Sequence, residues 1–261
     1  MSNYELLRYE RRGRIAYITL NRPSVLNAIN DQLGAEINEA FHQLDVDEEA
    51  WVGILSGEGR AFCSGADVKQ RQLRPREELE RMSSPAGRGA HGYALGQMVN
   101  WKPVIAAVHG YAYGAGFALA MECDLIVAAA GAKFQITEVS RGLGSPQHWV
   151  TAWYWSGNRV STELALTGRA ITVEEMLPHG MINRVVPAEE LMASAEELAE
   201  AIVANPPLSI RANVRMSRYY VREMQHEALL YRDALKLHLS EDFHESAKAF
   251  VEKRKPVFKG R

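Results

Sequence analysis

Hydrophobic positions along the chain fall into two rhythms. Residues 14–20 (RIAYITL) and 51–55 (WVGIL) are short β-branched and aromatic runs that end in polar or glycine-containing turns, as strands do. Between them Leu33, Ile37, Phe41 and Leu44 recur at helical spacing behind Asp31, which predicts an amphipathic helix capped by that aspartate. The rhythm repeats with a strand at 104–108, a glycine-rich turn, a small-residue helix over 116–123 and a buried strand at 125–129. Beyond about Gly144 strands nearly vanish, and helices are expected over 188–204, 207–223, 224–239 and 242–253. The predicted class is α/β, a layered mixed core with a helical C-terminal part. Residues 69–92 break both rhythms with Arg, Glu, Ser, Pro and Gly, and read equally as a lid loop or as a surface insertion.

Composition narrows the classes. Of 261 residues, 47% are hydrophobic and 24% charged, enough for a substantial core. A net charge of −2 disfavours a dedicated nucleic-acid or membrane-surface binder. Cys63 and Cys123 stand far apart without His or Cys neighbours at ligand spacing, so neither a disulfide framework nor a zinc site is expected. Met1-Ser2-Asn3-Tyr4-Glu5 lacks the basic and apolar segments of a signal peptide, and no apolar run is long enough for a membrane span. A cytoplasmic protein is the expectation.

Two turns carry candidate chemistry: Phe62-Cys63-Ser64-Gly65-Ala66-Asp67 and Gly110-Tyr111-Ala112-Tyr113-Gly114-Ala115-Gly116. Each follows a strand, and the second runs into a helix, where unpaired N–H groups attract negative charge. A dinucleotide fingerprint fails because Leu119 stands where its third glycine belongs, and a phosphate loop fails for want of Gly-Lys-Ser/Thr. Either turn alone is also what tight packing produces.

Taken together with Leu20-Asn21-Arg22-Pro23, Asn27-Ala28, Pro103 to Gly110, Cys123-Asp124-Leu125, Phe134, Glu138 and the stretch from Phe250 to Phe258, these turns resemble the crotonase (enoyl-CoA hydratase/isomerase) superfamily over nearly the whole length. The resemblance implies a crotonase-like ββα spiral α/β core over 1–200, with the lid loop at about 69–92, and a helical C-terminal trimerisation region over 201–261. It implies a homotrimer or a hexamer built of two trimers. The substrate would be an acyl-CoA, with coenzyme A entering as part of it and no tightly bound cofactor or metal. The backbone N–H groups of Ala66 and Ala115 would form an oxyanion hole for the thioester, a device worth roughly 3 kcal/mol per donor. Ala115 replaces a usual glycine, tolerable if its φ is negative. Leu26, Ala28, Ala66, Asp67 and Val68 would line the coenzyme's path, and Glu138 would transfer protons, its affinity raised toward neutrality by a partly dry pocket.

Departures from the family pattern matter as much. Twenty positions before Glu138, where the typical hydratase carries a second glutamate, stands Ala118. Glu122 lies a helical turn further on and does not replace it. After Glu138 the usual glycine-rich turn becomes Gly142-Leu143-Gly144-Ser145-Pro146-Gln147-His148-Trp149. His91 and His148 are candidate second polar groups, though a lone His more often packs or is solvated; Ser145 and His148 lack a nucleophile elbow. The implied activity is that of an enoyl-CoA hydratase or hydratase-like lyase with one catalytic glutamate. The alternatives are a C–C hydrolase, hydratase-lyase or isomerase of a bulkier cyclic or aromatic acyl-CoA, and a non-catalytic acyl-CoA-binding scaffold.

Overall fold

The computed structural model describes residues 4–81 and 100–261. Strand β1 (Leu7–Arg12) folds back antiparallel on β2 (Ile15–Leu20). Helix α1 (Asp31–Val46) then crosses to β3 (Val52–Gly57), which lies parallel to β2 with Ile15 opposite Val52. The cap of α1 is Asn30, whose side chain accepts from Leu33 N, so the helix begins one residue earlier than expected and Asp31 is its first residue. Short helices α2 (Val68–Arg71) and α3 (Arg76–Arg81) occupy the start of the expected lid, and residues 82–92 of it fall outside the described residues.

Strand β4 (Val104–Val108) adds parallel to β3, followed by β5 (Tyr111–Tyr113), α4 (Ala115–Met121), β6 (Leu125–Ala129) and β7 (Lys133–Gln135). Helices α5 (Pro146–Ser156) and α6 (Asn158–Thr167) lead to β8 (Ala170–Thr172), α7 (Val173–Met176) and β9 (Arg184–Val186). Helices α8 (Leu191–Val203), α9 (Pro207–Leu235) and α10 (Glu241–Val251) complete the chain. The helix expected to break near 223 is one continuous helix of 29 residues. No Gly or Pro lies between Leu208 and Leu235 to interrupt it.

The main sheet runs β1-β2-β3-β4-β6-β9, parallel from β2 onward, and a small one runs β5-β7-β8. Alternation along the parallel strands sorts side chains onto two faces. Ile15, Val52, Ile54, Ile105, Ala107 and Val127 meet Leu191, Ala195 and Ala199 of α8. Ala16, Ile18, Leu20, Leu55, Ala106 and Ile126 face the larger core with Leu33, Ile37, Phe41 and Leu44 of α1. Because both faces are covered, all five residues of β4 are buried. Phe41, Phe62, Phe117 and Phe134 are fully buried in that core, each stabilising the fold by about 1.5–3 kcal/mol.

Helix α9 is anchored to the sheet by one buried pair. Arg218 Nε donates to Asp124 Oδ1 at 2.9 Å, and its other nitrogens reach Asp124 Oδ2 and the carbonyls of Asn100 and Lys102. Asp124 Oδ2 in turn accepts from Val104 N at 2.7 Å, which ties α9 to the start of β4.

Candidate functional site

The two glycine-containing turns lie against each other. Cys63 forms a parallel bridge with Ala112, Cys63 N donates to Tyr111 O at 2.9 Å, and Tyr113 N donates to Cys63 O at 3.0 Å. This stitch requires bare backbone. A Cβ on Gly116 would stand 2.4 Å from Cys63 O, and one on Gly65, at φ +105°, would stand 2.8 Å from Tyr113 O and 3.6 Å from Ala115 N. Ala66 is therefore brought beside the start of α4, where Ala115 is the first helical residue. Ala115 keeps a negative φ, so its methyl costs no strain. Neither Ala66 N–H nor Ala115 N–H donates a hydrogen bond among the described residues.

Buried Asn27 fixes the first turn from below. Its Oδ1 accepts from Arg22 N at 2.8 Å, and its Nδ2 donates to the carbonyls of Glu58 and Ala61 at 2.9 and 2.8 Å. Burial pushes the Cys63 thiol up to about 12, so it stays a protonated packing group that donates to Asn27 O at 3.2 Å. The residues expected along the coenzyme's path converge here. Ser64 N donates to Leu26 O, Ile29 N to Gly65 O and Asp67 N to Ile29 O, which sets Leu26 and Ala28 beside Ala66, Asp67 and Val68. Asp67 caps α2 and pairs at 3.3 Å with Arg22, whose guanidinium also donates to Ala28 O. Arg22 is a cation that the sequence reading did not single out, although the Asn-Arg-Pro motif contained it.

Glu138 reaches the same place from β7. Gly114 N donates to Gln135 O at 2.8 Å, and a Cβ on Gly114, at φ +51°, would lie 2.5 Å from Thr137 Oγ1 and 3.3 Å from Glu138 Oε1. The carboxylate thus stands beside the residue that precedes Ala115. Its Oε2 is 3.2 Å from His148 Nδ1, with both side chains under one-fifth exposed, at 16% and 18%. Burial pushes the Glu138 carboxyl up, but the His148 ring beside it and the N–H groups of Glu138 and Thr137 outweigh it. The net direction is down, opposite to the rise expected from a dry pocket alone.

The turn that carries Glu138 is held from α10. Gly142, at φ +69°, fits where a Cβ would stand 2.8 Å from Phe243 N, and Ser246 Oγ donates to Arg141 O at 2.9 Å. The Arg141 guanidinium lies 4.0 Å over the Phe250 ring.

The other candidates separate cleanly. Ala118 is 9% exposed and presents only a methyl. Glu122 lines a different, small cavity of about 30 Å³ with Arg218 and Gln225, away from Glu138. His109 Nε2 contacts Gly59 O at 2.9 Å, a packing role. His91 lies outside the described residues. Among the described residues no cluster of His, Cys, Asp and Glu could hold a metal, and no helix is long and apolar enough to cross a membrane.

A parallel sheet, two undonated N–H groups on facing turns and a largely buried carboxylate beside them make up the candidate site. The chain belongs to the enoyl-CoA hydratase/isomerase family, whose profile matches residues 10–261. It is 36% identical over 254 residues to a mevalonyl-coenzyme A hydratase from Aspergillus fumigatus, covering 94% of this chain and 91% of the relative. It is 34% identical over 256 residues to an (E)-benzylidenesuccinyl-CoA hydratase from Thauera aromatica, covering 95% and 96% of the two chains. Among solved structures, a carnitinyl-CoA hydratase from Mycobacterium avium superposes with a TM-score of 0.82 at 33% identity, covering both chains completely.

Proposed function

We propose that the protein is a lyase that adds water to an enoyl-CoA thioester, or removes it in reverse, with Glu138 as its acid–base group. The carrying observation is that Glu138 Oε1 lies against Gly114, one residue from the undonated N–H of Ala115. In this reading the thioester oxygen sits between Ala66 N–H and Ala115 N–H. As water bonds to Cβ, charge collects on that oxygen, where fixed donors act most strongly. Glu138 takes the proton that water loses and returns a proton to Cα. Coenzyme A, carried as part of the substrate, runs past Leu26, Ala28, Asp67 and Val68, with Arg22 a cation beside that path.

With Ala118 in place of a second carboxylate, the floor of the pocket carries a methyl instead of an anion. That favours an acyl group bulkier or more branched than a short linear one. The relatives named above act on such groups, mevalonyl and benzylidenesuccinyl. Assembly as a trimer, or a hexamer of two trimers, is supported by exposed apolar residues along α9, among them Leu208, Met216, Tyr219, Tyr220 and Leu230. A cytoplasmic setting remains part of the same proposal.

The test is turnover of Glu138→Gln across linear, branched and ring-bearing enoyl-CoA esters. Loss of about 10²–10⁴-fold in kcat, with ester binding retained, is expected for a removed acid–base group. Full turnover by the variant would refute the assignment. Ester binding by the unaltered protein without turnover on any ester would mark a scaffold instead.

A further inference from the structure

The two oxygens of Glu138 face different neighbours. Oε1 lies toward Gly114, 3.3 Å from where a Cβ would stand there, whereas Oε2 lies 3.2 Å from His148 Nδ1. Both Oε2 and Nδ1 are sealed from solvent. The imidazole arrives from α5 against α4, where its ring meets Phe117 edge-on with centroids 6.2 Å apart.

We propose that His148 is a positioning residue that holds Oε2 of Glu138 and so makes Oε1 the oxygen that exchanges protons with substrate. The proposal rests on the reading of Glu138 as the acid–base group. In the hydration direction an O–H bond of water breaks toward Oε1 while the water oxygen bonds to Cβ. The Cα=Cβ electron pair moves to Cα and the thioester carbonyl, whose oxygen gains the charge. The O–H bond of Glu138 then breaks toward Cα, and the carbonyl re-forms. His148 keeps its proton throughout, so one water is added and the pair returns to its starting state. One carboxylate does both transfers because its partner favours the ionised form; burial without that partner pushes the carboxyl toward the protonated form, which cannot accept from water.

The charged groups acting on Glu138 among the described residues are few. His148 comes from α5, and Arg141 lies on the turn itself, where it covers Phe250. Helix α10 adds Asp242, Phe243, Ser246 and Phe250 at this turn, and the Asp242 carboxylate accepts from Lys259 N and Gly260 N at 2.7 and 2.8 Å; Phe117 of α4 and Gly168 beyond α6 are uncharged.

The experiment compares the unaltered protein with His148→Gln, and with His148→Asn should the first not fold, using two readouts. Infrared difference spectra across pH report the Glu138 carboxylic acid, identified as the band absent in Glu138→Gln. The pH profile of kcat/KM reports the form that works. The expected result is that Glu138 protonates at higher pH in the His148 variant. The ascending limb of kcat/KM then moves up by about one pH unit or more, a loss of roughly tenfold on its acid side that recovers at higher pH. Coincident infrared titrations, or a uniform fall in kcat/KM with an unmoved limb, would overturn the proposal and leave His148 a packing residue. If the unaltered protein turns over no ester, the reading of Glu138 fails separately, and the infrared titration still decides whether the pair exists.

Discussion

Replacing Gly114 with alanine tests the site where its parts meet. Gly114 adopts φ +51° and ψ −115°, a conformation that side chains avoid. Imposing it on alanine costs about 1–3 kcal/mol. The new methyl would also stand 2.5 Å from Thr137 Oγ1, and relieving such a contact costs about 1–3 kcal/mol more. The turn can move only by carrying Ala115 N–H and the Thr137-Glu138 backbone with it. A misplacement of about 1 Å at reacting groups is worth roughly 10²-fold.

The expected outcome is therefore a fall of about 100-fold in kcat/KM, mostly in kcat, with stability lowered by roughly 2–6 kcal/mol. Gly131→Ala supplies the control. Gly131 has φ +78° and nothing within 4 Å of an added Cβ, so it isolates backbone strain from collision. Steady-state kinetics and urea unfolding on both variants separate the two effects. The reasoning is refuted if Gly114→Ala stays within a few-fold of full activity while losing no more stability than Gly131→Ala.

Two further outcomes follow from buried polar groups. Asn27→Ala removes the donor to the carbonyls of Glu58 and Ala61 and puts alanine at φ +55°, so unfolding should become easier by roughly 3–4 kcal/mol, measured by urea titration. Arg218→Met leaves Asp124 without its partner, and a loss of about 3–5 kcal/mol is expected in the same assay, with hydrogen exchange rising first along α9.

How much of this was legible in the chain depends on burial. Strands β2, β3, β4 and β6 were readable because both faces of the sheet are covered, which forces apolar residues onto them. Strand β1 was not, since its LRYERR sequence shows the polar outer surface of an edge. The three-residue strands β5, β7 and β8 are too short to carry a period, and pairing with one another defines them. At the site, Ala66, Ala115 and Glu138 stood out through spacing and resemblance.

His148 was weighed low because a lone His more often packs or is solvated. Ser145-Pro146, a helix-start signal with proline at the first position, could have placed it in the first turn of α5. The direction of the Glu138 shift was misjudged for the same reason. Burial can be inferred from one segment, but a compensating cation ten residues on belongs to the tertiary fold.

The hold of α10 on the Glu138 turn has a consequence for the order in which the molecule comes into being. Ser246 reaches back across 105 positions to Arg141 O, and Phe243 closes on Gly142. A nascent chain that has emerged only as far as β9 already contains Ala66, Ala115, Glu138 and His148. It lacks the segment that braces the Glu138 turn, so every strand of the sheet is present well before that turn can be held.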